Sequence, residues 1–169
     1  MIPLILISVI ISLCGASDDS CPEVDNVALY GRATMSQSYS FLGLASNAID
    51  GNRDGTYIHG SCAHTANHLN PWWRVDLLKS YKVKLIVLTS REDCCPEQIN
   101  GAEILIGDSL KNDGNINPRC AVVQNLGTGM TIVYHCNGMV GRYVNVVKPD
   151  KTESIVFSEL EVYGTPVKH

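Results

Sequence analysis

Val83-Lys84-Leu85-Ile86-Val87-Leu88, then Arg91-Glu92-Asp93-Cys94-Cys95-Pro96-Glu97-Gln98, then Ala102-Glu103-Ile104-Leu105-Ile106 follow one another closely and decide the fold. The outer two are short apolar runs and read as strands. The octet between them is charged, carries two adjacent cysteines and contains a proline. It reads as a loop at one end of a β-sheet, held at both sides. Rigid β scaffolds usually mount their binding groups on such loops. A Cys-Cys pair between an arginine and a proline has no ordinary packing role.

The same pattern extends in both directions. Asn26 to Thr34 reads as a first strand, and Ser36 to Ser46 as a loop of polar and small residues with Tyr39 and Phe41 in it. Ala45 to Gly51 is compatible with one helical turn. Trp72-Trp73-Arg74-Val75-Asp76-Leu77 alternates, with Trp73, Val75 and Leu77 on one face. Ala121 to Leu126, Met130 to His135, Arg142 to Val147 and Ser154 to Tyr163 are further short strands, punctuated by Gly, Pro, Asn and Asp. No long segment has helical periodicity. Many short strands separated by turns predict an all-β fold, an antiparallel β-sandwich or jelly roll in a single domain.

A chain of 169 residues suits one domain with a sizeable core. Its net charge of -4 and lack of a basic run argue against nucleic acid or an anionic membrane as partner. Residues 1–16 carry no charged side chain and end in Cys14-Gly15-Ala16, small residues that suit signal-peptide cleavage before Ser17. The run is too short to span a bilayer, and no second apolar run of spanning length follows. The expectation is a secreted protein with no membrane insertion, its mature domain covering residues 17–169.

Removal of residues 1–16 also removes Cys14 and leaves Cys21, Cys62, Cys94, Cys95, Cys120 and Cys136. An even number of cysteines in a secreted chain reads as a disulfide framework of open connectivity. Zinc is disfavoured, because there is no CxxC pair and no paired histidines. A bridge between Cys94 and Cys95 would join neighbouring Cα atoms about 3.8 Å apart, closer than disulfides prefer, and calls for a distorted or cis peptide. Such a ring would be compact and apolar on one face, a platform for the hydrocarbon face of a small ligand. The competing reading is that each cysteine bridges elsewhere.

Asp50-Gly51-Asn52-Arg53-Asp54-Gly55 matches the first half of a calcium-binding EF-hand loop but not its end, since the twelfth position is Ser61 and no helices flank it. Hard oxygens in a tight turn suit calcium, and a plain turn uses the same residues. His64 and Arg91 together offer the donors and acceptors that a polyol requires. His59, His68, His135 and His169 have no such company in sequence.

Taken together, several stretches resemble the F-type lectins, the fucose-binding fucolectin family. They are Asn26 to Leu29, Ser46 to Asn52, His59 to His64, Asn70 to Leu77, Arg91 to Cys95, Gly101 to Ile104, Gly141 to Val144 and Glu159 to Val162. The resemblance spans residues 26–164. It implies a discoidin-like jelly roll and a secreted, calcium-dependent lectin for terminal L-fucose or a related sugar in innate immune recognition, with a homo-oligomer left open. It places His64, Arg91, Asp93, Gln98 and a Cys94–Cys95 bridge at the sugar. It places Asn47, Asp50, Asn52, Ser61, Ser158 and Glu159 around Ca2+. It also implies a Cys120–Cys136 bridge; Cys21 and Cys62 then remain as the expected third pair. Two residues depart from the family pattern. Gln98 stands where the family has Arg or Lys, and Ser158 stands where it has a cysteine partner for Cys62. An extracellular module making protein contacts is the alternative. An enzyme is not expected: a glycosidase needs two carboxylates facing one bond, whereas the family role of Asp93 is to support the arginine.

Overall fold

The computed structural model describes residues 24–168. The expected signal peptide, Cys14, Cys21 and His169 lie outside them. Ten strands form: β1 (Arg32–Met35), β2 (Ala63–His64), β3 (His68–Leu69), β4 (Trp72–Thr89), β5 (Glu103–Gly107), β6 (Arg119–Val122), β7 (Thr131–Val147), β8 (Thr152–Glu153), β9 (Val156–Phe157) and β10 (Glu159–Pro166). Among the described residues the only helices are short 3-10 turns, and no helix is long and apolar enough to cross a membrane.

The long strands β4 and β7 run antiparallel over their whole length, from Trp72 opposite Val147 to Thr89 opposite Thr131. Register shifts between Asp76 and Tyr81 and between Val83 and Leu85 break the pairing, and Leu78, Asn137 and Gly138 adopt positive φ there. One half of the pair carries β1 on β4 and β5 on β7, with β6 beyond β5. The other half carries β10 on β4. Two layers thus share two bent strands, which is the expected antiparallel jelly-roll sandwich. β2 pairs with β9 and β3 with β8 in two small ladders.

Alternation along the strands fills the core. Trp73, Val75 and Leu77 are buried while Arg74 and Asp76 reach the surface. Trp73 meets Phe157 edge to face at 5.2 Å and donates its indole N–H to the Ala45 carbonyl at 2.9 Å. Each such large side chain contributes about 1.5–3 kcal/mol by burial.

Several strand boundaries differ from expectation. Asn26 does not begin a strand. Its Oδ1 accepts from the Ala28 and Val162 amides, which turns Val27–Tyr30 into a 3-10 turn before β1. Met130 to His135 and Arg142 to Val147 belong to one strand, because bulges absorb the turn residues between them. The strand expected from Ala121 to Leu126 stops at Val122, where the Asn100 carboxamide bonds both the N–H and the carbonyl of Leu126 and shapes a loop instead.

Candidate carbohydrate-binding site

Three loops converge beside β2. The first, after β1, carries Tyr39, whose ring stacks on His64 with centroids 4.5 Å apart. The second carries Tyr57, which meets the His64 ring edge-on at 5.2 Å and shares a 2.7 Å hydrogen bond with Ser40. A Cβ on Gly43 would sit 2.8 Å from His64 Cβ, so this approach requires glycine. His64 is 6% exposed and its Nδ1 has no hydrogen-bond partner. Burial, reinforced by Arg91, pushes its pKa down to about 4. The ring is therefore neutral at physiological pH, with one donor and one acceptor.

The third loop is Arg91 to Gln98. The Arg91 guanidinium lies over the Tyr57 ring at 4.6 Å and grips Asp93 through two hydrogen bonds, Nε to Oδ1 and Nη2 to Oδ2. That fork holds the Asp93 carboxyl below the usual carboxylate range and raises Arg91. Two of the five guanidinium N–H groups are used, leaving three for a ligand. The loop itself is pinned. Glu92 N donates to the Gly55 carbonyl, Thr56 Oγ1 to the Glu92 carboxylate, and Gly129 N to the Arg91 carbonyl. A Cβ on Gly55 would come within 2.6 Å of the Glu92 nitrogen.

Cys94 and Cys95 are bridged to each other, and both are half-buried. Among the described residues there is no cis peptide. The trans bond between them leaves their Cα atoms 3.8 Å apart, and Cys95 takes the left-handed conformation, φ 62°. The 3-10 turn Pro96–Gln98 follows. The Oε1 of Gln98 is buried and unpartnered, so Nε2 is the end of the amide that it offers to solvent. Behind this turn Lys148 is 2% exposed and donates to the Glu97 carbonyl at 3.1 Å and to Glu153 at 2.6 Å.

A family model for the NedA-like, galactose-binding domain of F5/F8 type C matches residues 47–146. Fucolectin-4 of Anguilla japonica is 54% identical over 143 residues, covering 82% of this chain and 79% of its own. The chain belongs to the fucolectin, or F-type lectin, family. This is a family of carbohydrate-binding proteins rather than enzymes. A serum F-lectin (fucolectin) from striped bass, Morone saxatilis, superposes with a TM-score of 0.82 at 45% identity, over 86% of this chain and 50% of that one. A fucose binding module from Streptococcus pneumoniae superposes with a TM-score of 0.72 at 26% identity, over 88% and 99%.

In this chain His64 and Arg91 both touch Tyr57, and Asp93 holds Arg91. The cysteine pair directly follows Asp93 in the chain. Gln98 lies one turn further on, with no hydrogen bond to His64 or Arg91. The sequence reading did not assign Tyr39 or Tyr57 to the site, nor Lys148 behind it. Nothing local marks them, because their role comes from loops that meet only in the folded chain. One expectation needs correction. Cys62 is a free, buried thiol. Its Sγ points to the Gly55 carbonyl at 3.6 Å and burial pushes its pKa up to about 11. The expected Cys21–Cys62 bridge is therefore not formed, Cys21 itself lying outside the described residues. Of the other histidines, His59 pairs through Nδ1 with Asp54 at 2.7 Å. The Cys120–Cys136 bridge ties β6 to β7.

The six oxygen-bearing residues expected around a cation fall into three kinds. Glu159 is fully buried. Its Oε1 accepts from Gly51 N at 3.0 Å and its Oε2 has no partner. Burial, with Asp50 and Glu161 nearby, pushes its carboxyl up to about 8 despite that bond, and burial likewise raises Asp50. Asn47 spends its amide N–H groups on the Leu42 and Cys62 carbonyls, leaving Oδ1 over. Asp50 and Asn52 each accept one backbone amide two residues ahead and keep further lone pairs. The Ser61 hydroxyl donates to the Thr56 carbonyl and keeps its oxygen as an acceptor, whereas Ser158 is expected to contribute its backbone carbonyl, its hydroxyl being engaged with the Thr89 and Ser90 carbonyls. No cluster of three or more His, Cys, Asp or Glu exists among the described residues. An all-oxygen set with an unpaired buried carboxylate fits a hard divalent cation rather than zinc.

Proposed function

We propose that this chain is a secreted lectin that binds terminal L-fucose, or a closely related sugar, on extracellular glycans. The observation that carries the reading is a neutral His64 and an Asp93-braced Arg91 held against one tyrosine, with a Cys94–Cys95 ring following in the same loop. The names fucolectin and fucose binding module carried by its relatives support it. Arg91 donates its three remaining N–H groups to sugar oxygens. His64 exchanges one hydrogen bond with a hydroxyl, and the sulfur pair packs on the hydrocarbon face. Gln98 supplies a neutral N–H donor where an Arg or Lys would supply a charged one, which weakens or shifts the sugar preference. Ca2+ bound by Glu159, Asp50, Asn52 and Asn47, with oxygens of Ser61 and Ser158, would neutralise the buried carboxylate and fix the loops behind the sugar. Recognition of foreign or host glycans in innate immunity follows from that activity, and a homo-oligomer would multiply it by avidity.

Glycan-array binding of the wild type and of Arg91→Ala, with and without a calcium chelator, tests the reading. Fucosylated glycans should be bound by the wild type and lost by the variant. No binding by either would favour the protein-contact module instead, and equal binding by both would remove Arg91 from the sugar site.

A further inference from the structure

A cleft on the described surface lies apart from His64 and Arg91. It has a volume of about 470 Å³ and opens on the outer side of the β1-β4-β7-β5 layer. Its floor is a row across the sheet, Trp72 beside Val147 beside Glu103. Its walls are four segments bearing Gln37, His68 of β3, Asn112 with Asp113, and Asp150.

The walls are held in place. Ala66 N bonds the Gln37 carbonyl, Asn70 Oδ1 accepts from Asp150 N at 2.6 Å, and Asn145 Nδ2 bonds both the Asp113 carbonyl and Asn115 Oδ1. Arg74 lies over the Trp72 ring at 5.0 Å and donates to the Asp113 carbonyl at 2.7 Å. Its charge is thereby spent on the floor.

What remains unspent faces a ligand. The Asp113 and Asp150 carboxylates are in no ion pair among the described residues. His68 donates from Nδ1 to the Ala66 carbonyl at 2.9 Å, which fixes its ring in the wall, and its Nε2 is buried without a hydrogen-bond partner. The half-buried Trp72 indole and the Gln37 and Asn112 amides supply apolar surface and donors. Acceptors outnumber donors, and the lining residues include carboxylates but no Lys or Arg, which disfavours anionic ligands. An uncharged polyol satisfies the set: its hydroxyls donate to the carboxylates, and its carbon face lies near the indole.

We propose that this cleft is a second carbohydrate-binding site that takes an uncharged sugar residue, independent of the His64–Arg91 site. A single domain would then engage two sugars, raising its avidity for branched or clustered glycans without oligomerisation.

The chain's own tryptophans provide the test. There are two, and Trp73 is fully buried, so a ligand-dependent change in emission reports Trp72. Arg91→Ala protein is titrated with L-fucose, D-galactose, N-acetyl-D-glucosamine and lactose, with sialyllactose and a lysine-rich peptide as counter-probes. The expected result is a saturable change with at least one neutral sugar. It should be lost in Trp72→Phe, and affinity should fall about tenfold or more in Asp113→Asn/Asp150→Asn as charge-assisted bonds become neutral. Melting curves for each variant establish that it is folded. The proposal is overturned if none of the four sugars alters emission, if only the peptide does, or if the double variant binds as well as its parent. It is equally overturned if the wild type responds and Arg91→Ala does not, because the signal then belongs to the His64–Arg91 site. Loss of fucose binding on the array leaves this result unaffected, so the two readings fail separately.

Discussion

The burial of His64 should make this protein lose stability in mild acid in a way that one substitution removes. In the unfolded chain the imidazole takes up its proton near 6.5, and in the folded chain only near 4. Between those values the unfolded state holds more protons, so stability rises with pH. The contribution is fully present above 6.5 and is lost as pH falls through 4. At about 1.4 kcal/mol per pH unit this displacement corresponds to about 3 kcal/mol. The cause is physical crowding: Tyr39 on one face, Tyr57 at the edge and the Arg91 charge nearby leave an imidazolium without water or a counter-ion. Urea unfolding of the wild type and of His64→Gln at a series of pH values isolates the effect, since carboxylates that titrate in the same window are common to both and cancel in the difference. The wild type should lose about 3 kcal/mol more than the variant between pH 6.5 and 4. Sugar affinity should stay flat across the neutral range. Parallel stability curves, or an imidazole NMR titration with its midpoint near 6.5, would refute the reasoning.

Gln98→Arg should strengthen fucose binding by a few-fold to about thirtyfold, the gain of a charged over a neutral donor; calorimetry showing unchanged or weaker binding means that position 98 does not touch the sugar. Chelation of calcium should lower the melting temperature, the loss being about 2.7 kcal/mol from a hundredfold excess over the dissociation constant; an identical melt in demetallated protein removes the cation from the account. Because the Cys62 thiol is buried with a pKa of about 11, it should resist alkylation in the folded protein and be labelled once urea unfolds it without reductant. Peptide mapping that finds Cys62 in a disulfide contradicts this.

The alternation of Trp72 to Leu77, the apolar runs on either side of the Cys-Cys loop and the absence of helical periodicity determined an antiparallel sandwich from sequence alone. These are local signals: a period of two buries one face whatever the partner strand. Arg91, Asp93 and the cysteine pair were likewise legible, since they lie within one loop and their chemistry depends on adjacency. Tertiary structure decided the rest. Tyr39 and Tyr57 reach His64 only because β2 is held between two loops that the sequence separates, and Lys148 reaches the Glu97 carbonyl across 51 residues. Elimination paired Cys62 with Cys21, yet its thiol is buried against the Gly55 carbonyl. Composition counts cysteines but holds no record of which sulfurs the fold buries or brings within bonding distance. The same limit hid the Trp72 cleft, whose floor is three strands side by side and whose walls are segments far apart in the chain. A side chain's type is written in the sequence, whereas the groups that desolvate it, charge it or leave it unpaired are set by the packing of distant segments.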